Sequence, residues 1–117
     1  MAGRGGALTQ AEAAPLFAAL GDPTRLSLLS RLSDGAPRSI VQLTAGLDLT
    51  RQAVTKHLRI LQDAKMVKSR RWGRQHLFVI HPPALRAARD YLQRASAQWD
   101  DAVARLAAFV EEEPPRP

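Results

Sequence analysis

The 117-residue sequence contains no cysteine, which excludes disulfide bridges, thiolate metal sites and cysteine nucleophiles together. Aromatic residues make up only 5%, so a core must be assembled from Leu, Ile, Val and Ala. No apolar run approaches the roughly 20 residues of a bilayer-spanning helix. Residues 1–7 lack the apolar stretch of a secretory leader. A soluble cytoplasmic protein with no membrane partner is the expectation. Acid is scarce where it matters most. Between Thr50 and His76, Asp63 alone opposes eight bases, namely Arg51, Lys56, Arg59, Lys65, Lys68, Arg70, Arg71 and Arg74. The net charge of the whole chain is +6, so this stretch, at +7, exceeds it and the remainder is close to neutral. Such concentration points to a polyanionic partner, the plainer alternative being a solvated cationic face.

What is present suits one compact domain. Hydrophobic residues account for 45%, enough for a core. Residues 1–8 read as a tail. A first helix is predicted from Thr9 to Leu20, with Ala13, Leu16, Phe17 and Leu20 at helical spacing. Gly21 breaks it. Asp22-Pro23 starts a second helix, as a cap followed by the residue best suited to the first helical position. It runs to about Ser33 and buries Leu26, Leu29 and Leu32. Ser39 with Gln42 three residues on forms a capping box for a short third helix, whose apolar side is Ile40, Val41 and Leu43 and whose end is Gly46. Thr50 caps a fourth helix reaching about Ala64. Two short helices joined by a tight Gly-containing turn are a helix-turn-helix signature.

The period then changes. Met66–Trp72 and Gln75–Ile80 read as two strands around Gly73-Arg74, and a basic hairpin directly after a helix-turn-helix is a wing. Trp72 is expected to pack this hairpin onto the helices. Pro82-Pro83 closes the second strand and opens a last helix to about Val110. Along it Leu85, Ala88, Leu92, Ala95, Trp99, Ala102, Leu106 and Phe109 recur in steps of three and four, a heptad seam. So long a helix with so narrow a stripe calls for a partner surface, the alternative being packing within its own domain. Residues 111–117 form an acidic, Pro-rich tail. The predicted fold is mainly α with a β-hairpin wing, a winged helix-turn-helix of about five helices and two strands.

On the fourth helix, rotation by about 100° per residue places Leu58 and Leu61 close to Val54 on an inner face. Gln52, Thr55, Lys56, Arg59 and Asp63 fall on the outside, with no large apolar residue among them. Gln bonds adenine and Lys or Arg bonds guanine in the major groove, while Thr offers a hydroxyl to phosphate and a methyl to thymine. Thr50 and Arg51 sit at the helix N-terminus, where free N–H groups favour phosphate. His57 lies at the edge, as either a phosphate contact or a half-buried packing residue. Asp63, near the C-terminus, would rise out of the groove. The hairpin adds Lys68, Arg70, Arg71, Arg74 and His76. Arg74, at the turn, suits the minor groove. Strand alternation sets Ser69 and Arg71 opposite Lys68, Arg70 and Trp72. Catalysis is not indicated. Ser27, Ser30 and Ser33 have no nearby histidine, and His76 and His81 flank a strand end without a nucleophile motif.

The strings FAALGDPTRLSLLSRL (Phe17–Leu32) and LTRQAVTKHLRILQDAKMVKSRRWGRQHLFVI (Leu49–Ile80) resemble the opening helices, recognition helix and wing of ArsR-type winged-helix repressors. The resemblance covers about residues 11 to 110. It implies a homodimer built from the first and last helices that represses transcription from an inverted-repeat operator in double-stranded DNA. Thr50, Gln52, Thr55, Lys56 and His57 match the DNA-contacting segment and Arg74 the wing tip. Ser39, Arg51, Arg59, Lys68, Arg70 and Arg71 complete the candidate DNA contacts. Leu16, Phe17 and Leu20 of the first helix and Leu85, Leu92, Trp99, Val103 and Leu106 of the last form the candidate dimer interface. The paired cysteines of metal-sensing members are replaced by SIVQLTA (Ser39–Ala45), and the last helix has Asp90, Asp100 and Asp101 but no histidine. No metal or cofactor is therefore expected, and the effector, whether small molecule, protein or none, stays open. The other reading is a winged-helix module for protein or RNA.

Overall fold

A computed structural model describes residues 7–112. Five helices, α1 (Gln10–Leu20), α2 (Pro23–Arg31), α3 (Ile40–Thr44), α4 (Arg51–Asp63) and α5 (Pro82–Glu111), surround three strands, β1 (Arg38–Ser39), β2 (Val67–Trp72) and β3 (Gln75–Ile80). Most helix starts are written in the local sequence. Thr9 with Glu12, and Ser39 with Gln42, form reciprocal capping boxes. The Asp22 carboxylate and the Thr50 hydroxyl accept from the N–H of Arg25 and Ala53. Gly46, just past α3, has φ +79°, the left-handed conformation that lets the chain turn sharply into α4.

One strand was not expected. β1 is two residues long, too short to show alternation, and exists only because Arg38 and Ser39 pair with Phe78 and Leu77. The sheet is antiparallel in the order β1-β3-β2.

The core joins α1 to α4 with the root of the sheet. Leu28, Leu32, Leu43, Val54, Leu58, Leu61 and Met66 are all 0% exposed. Three assignments of inward faces are corrected. On α2, Leu28 is buried and Leu26 is exposed, because the two lie about 200° apart on the helix and the buried stripe follows Leu28, Leu29 and Leu32. On α3, Leu43 alone is fully buried while Val41 is exposed, since five residues present only one side to the core. On α1, Ala19 is buried, with Phe17 and Leu20 partly so. Leu8, placed in the tail by the sequence, packs against the core. Residues 1–6 and 113–117, the rest of the two predicted tails, lie outside the described residues.

α5 shapes the molecule. Its first turns pack on α1 through Ala88, Leu85 and the Phe17–Tyr91 ring pair, whose centroids are 5.7 Å apart. From Ser96 to Glu112 every residue is exposed. The radius of gyration is 20.1 Å, against about 13 Å for a compact domain of this length. No helix among the described residues is long and apolar enough to cross a membrane.

Candidate nucleic-acid interface

α4 is held from below by Val54, Leu58 and Leu61, each without solvent exposure, as its helical spacing predicts. Arg51, Gln52, Lys56, Arg59 and Asp63 are exposed on the other side. Two details differ from expectation. Ile60 is also exposed, so the edge of the outer face carries one apolar side chain. The Thr55 hydroxyl donates to the Arg51 carbonyl at 2.7 Å, which leaves Thr55 its methyl and an acceptor lone pair, but no free donor, for a ligand.

The helix-turn-helix is braced from α2. The Arg31 guanidinium donates to the carbonyls of Leu43 (3.2 Å) and Ala45 at the end of α3, two groups that would otherwise lack intrahelical partners. α4 ends in a Schellman arrangement, with Met66 N–H on Leu61 O and Lys65 N–H on Gln62 O, both at 2.9 Å. The left-handed position is taken by Lys65 (φ 65°) instead of glycine.

His57 points inward. Its Nδ1 lies 3.1 Å from Arg25 Nη1 and 3.7 Å from Asp22 Oδ2. Arg25 in turn donates through Nε to Ala19 O (2.6 Å) and through Nη2 to Ala18 O (3.3 Å). One guanidinium thus ties the C-terminus of α1 and the N-terminus of α2 to α4. Of the two roles the sequence allowed His57, this geometry carries packing. The hydrogen bond from the Arg25 backbone N–H is the largest influence on the Asp22 carboxyl; it outweighs desolvation and, with smaller contributions from His57, the Arg25 guanidinium and the Thr24 N–H, holds the carboxyl below its ordinary value. Arg25 itself escaped the sequence reading, since nothing local marks a contact across 32 positions.

The wing rises beside α4, joined to it by Gln62 Nε2 donating to Ser69 Oγ at 2.7 Å. Its inner face carries Val67, Ser69 and Arg71, opposite Ile80, Phe78 and His76. Val67 and Phe78 are buried, and His76 leans on Phe78. Its outer face carries Lys68, Arg70 and Trp72. Trp72 does not pack on the helices. It is 63% exposed, with Arg70 over its ring at 5.4 Å, because alternation turns it away from the side that Val67 buries. Arg74 is exposed at the tip, next to Gly73 (φ +63°). Ser39, whose hydroxyl is used in its capping box, lines a cleft with Val41, Gln42, Arg74 and His76. At the root of the wing, burial first and then the charges of Lys68, Arg86 and Lys65 push His81 below its ordinary value.

The candidate dimer residues separate into two groups. Leu16 is buried in its own domain, and Phe17, Leu20 and Leu85 are partly buried against the same core. Leu92, Trp99, Val103, Leu106, Phe109 and Val110 are exposed. Among the described residues no group of three or more His, Asp or Glu side chains is placed to hold a metal ion.

A polar and cationic helix face, seated on a helix-turn-helix and flanked by a basic hairpin, defines a winged helix-turn-helix DNA-binding regulator. A helix-turn-helix domain family matches residues 20–70. The HTH-type transcriptional regulator Rv2034 of Mycobacterium tuberculosis is 33% identical over 95 residues, spanning 81% of this chain and 85% of the relative. An ArsR-like transcriptional regulator from Rhodococcus sp. RHA1 superposes with a TM-score of 0.72 at 36% identity, covering 88% of this chain and 96% of the other. The chain belongs to the ArsR-type winged helix-turn-helix transcriptional regulators. The transcriptional repressor SmtB homolog of Synechocystis is 41% identical over 61 residues, which are 52% of this chain and 46% of that relative.

Proposed function

We propose that this regulator is a homodimeric repressor that binds an inverted-repeat operator, placing one α4 in the major groove of each half-site and one wing beside it. The observation that carries the reading is the surface of α4, where Gln52, Lys56 and Arg59 stand exposed around a shaft whose Val54, Leu58 and Leu61 are wholly buried. These are the groups that read base edges and phosphates, and they are presented by a helix whose position is fixed from three sides. Arg51, Thr55 and Ser39 border this face, and Lys68, Arg70, Arg71 and Arg74 extend it along the wing. His57 supports it from within.

The far half of α5 supports dimerisation. An apolar stripe containing Trp99 at 65% and Phe109 at 74% exposure does not hold an isolated helix in water, and a second copy offers the same stripe. Two-fold pairing sets two recognition helices at a fixed separation, which an inverted repeat mirrors. Repression is supported by the likeness to the Synechocystis repressor.

The test is fluorescence anisotropy with duplex DNA from upstream of the protein's own gene, at two salt concentrations and against an unrelated duplex. Binding should survive the competitor and weaken steeply with salt, with a slope near −0.9 per phosphate neutralised. Lys56→Ala and Arg59→Ala should each cost about 1–3 kcal/mol of binding without changing the circular dichroism. Wild-type affinity in both variants would move the recognition surface elsewhere.

A further inference from the structure

The hairpin holds an aromatic residue that the reading above does not use. Trp72 ends β2 opposite Gln75, the last pair before the Gly73-Arg74 turn. Its ring is largely in water, and its indole N–H has no hydrogen-bond partner among the described residues. Leaving so large an apolar side chain in solvent forgoes the gain of burying it. The surroundings state what kind of surface it suits. Arg70 lies over one face of the ring, Lys68 shares the same side of the strand, Arg71 and Arg74 are close by, and the sequence has no acid from Ala64 to Arg89. The hairpin is buried only at its root. From Arg70 to His76 every residue is exposed.

We propose that Trp72 and Arg70 form a pre-stacked pair that lies side-on against the sugar–phosphate wall of the minor groove flanking each half-site. The ring is not set up to intercalate, because Arg70 already occupies one of its two faces. It offers instead one open face to deoxyribose and an N–H donor to a phosphate oxygen, while Arg70 is held ready by the ring for a neighbouring phosphate. This extends the operator-binding reading and rests on it. It assigns part of the affinity to a contact that carries no charge.

Salt dependence isolates that contact. The slope of log affinity against log salt counts neutralised phosphates. Trp72→Ala should therefore lower affinity for the operator on the order of tenfold at every salt concentration and leave the slope near its wild-type value. Arg70→Ala should flatten the slope. Trp72→Phe, which keeps an aromatic face but no donor, should recover part of the loss. Wild-type tryptophan emission should change when operator duplex is added, and the change should vanish in Trp72→Phe. Because the ring is exposed, the variants should melt as wild type does, which separates this effect from unfolding. Wild-type operator affinity in Trp72→Ala, with specific binding by the unaltered protein intact, overturns the pair and leaves the repressor reading standing. Absence of any specific duplex binding by the unaltered protein overturns both. A Trp72 emission change on vesicles of anionic phospholipid, with none on DNA, overturns the assignment in favour of a membrane surface.

Discussion

Replacing Arg25 by alanine tests whether the tie between α1, α2 and α4 is real. Its guanidinium makes three hydrogen bonds, to Ala19 O at 2.6 Å, Ala18 O at 3.3 Å and His57 Nδ1 at 3.1 Å. A net intramolecular hydrogen bond contributes about 1 kcal/mol. The bond to Ala18 is long and exposed, so it is discounted, and water can rehydrate the two freed carbonyls. The two bonds that count give an expected loss of about 2 kcal/mol. Arg25 also places a cation at the C-terminus of α1, a favourable position for the helix dipole. Arg25→Lys keeps that charge but cannot reproduce the planar fork, so it should recover less than half of the loss. The assay is urea denaturation followed by circular dichroism at fixed protein concentration, because a dimer's stability depends on concentration. With a slope of about 1–3 kcal/mol per molar urea, the midpoint of Arg25→Ala should fall by about 0.7–2 M. An unfolding free energy within about 0.5 kcal/mol of wild type, or full recovery by lysine, would show that the fork does not hold the three helices.

Three further outcomes are expected. Trp99→Ala should weaken the proposed dimer by about 3–5 kcal/mol, seen by sedimentation equilibrium as a shift towards monomer, and sedimentation identical to wild type would remove α5 from the interface. Lys65→Gly should stabilise the protein by about 1 kcal/mol, because the left-handed backbone there (φ 65°) strains any residue with a Cβ. A lower melting temperature would mean that the lysine side chain compensates for the strain. The Asp22 carboxylate titrates below its ordinary value of 3.8 in the folded chain, so its contribution is complete above 3.8 and disappears as pH falls through that value to the lower folded one. Asp22→Asn should therefore be less stable than wild type at neutral pH and converge with it in strong acid. A gap between the two that stays constant with pH would refute the assignment.

Much of this architecture is local and was legible as such. Thr9, Asp22, Ser39 and Thr50 cap helices because each side chain reaches an N–H three residues on. The burial of Val54, Leu58 and Leu61 follows from helical period alone, and with it the outward placement of Gln52, Lys56 and Arg59 that makes the candidate DNA-reading face. The basic hairpin followed from strand alternation about a glycine. What remained hidden depends on partners distant in sequence. β1 is a strand only because β3 runs beside it. Leu28 lies in the core and Leu26 outside because the neighbouring helices approach α2 from one side. Arg25 joins three helices through contacts that no sequence window contains, and in doing so turns His57 inward. Trp72 shows the division most clearly. Its chemistry named it a core residue, and its alternation placed it with Lys68 and Arg70. Only the packing of Val67 and Phe78 against the helices decided which face of the hairpin is inside, leaving the indole in water next to a cation. Periodicity specifies which side chains share a face, whereas the direction that face looks is settled by what the rest of the chain brings against it.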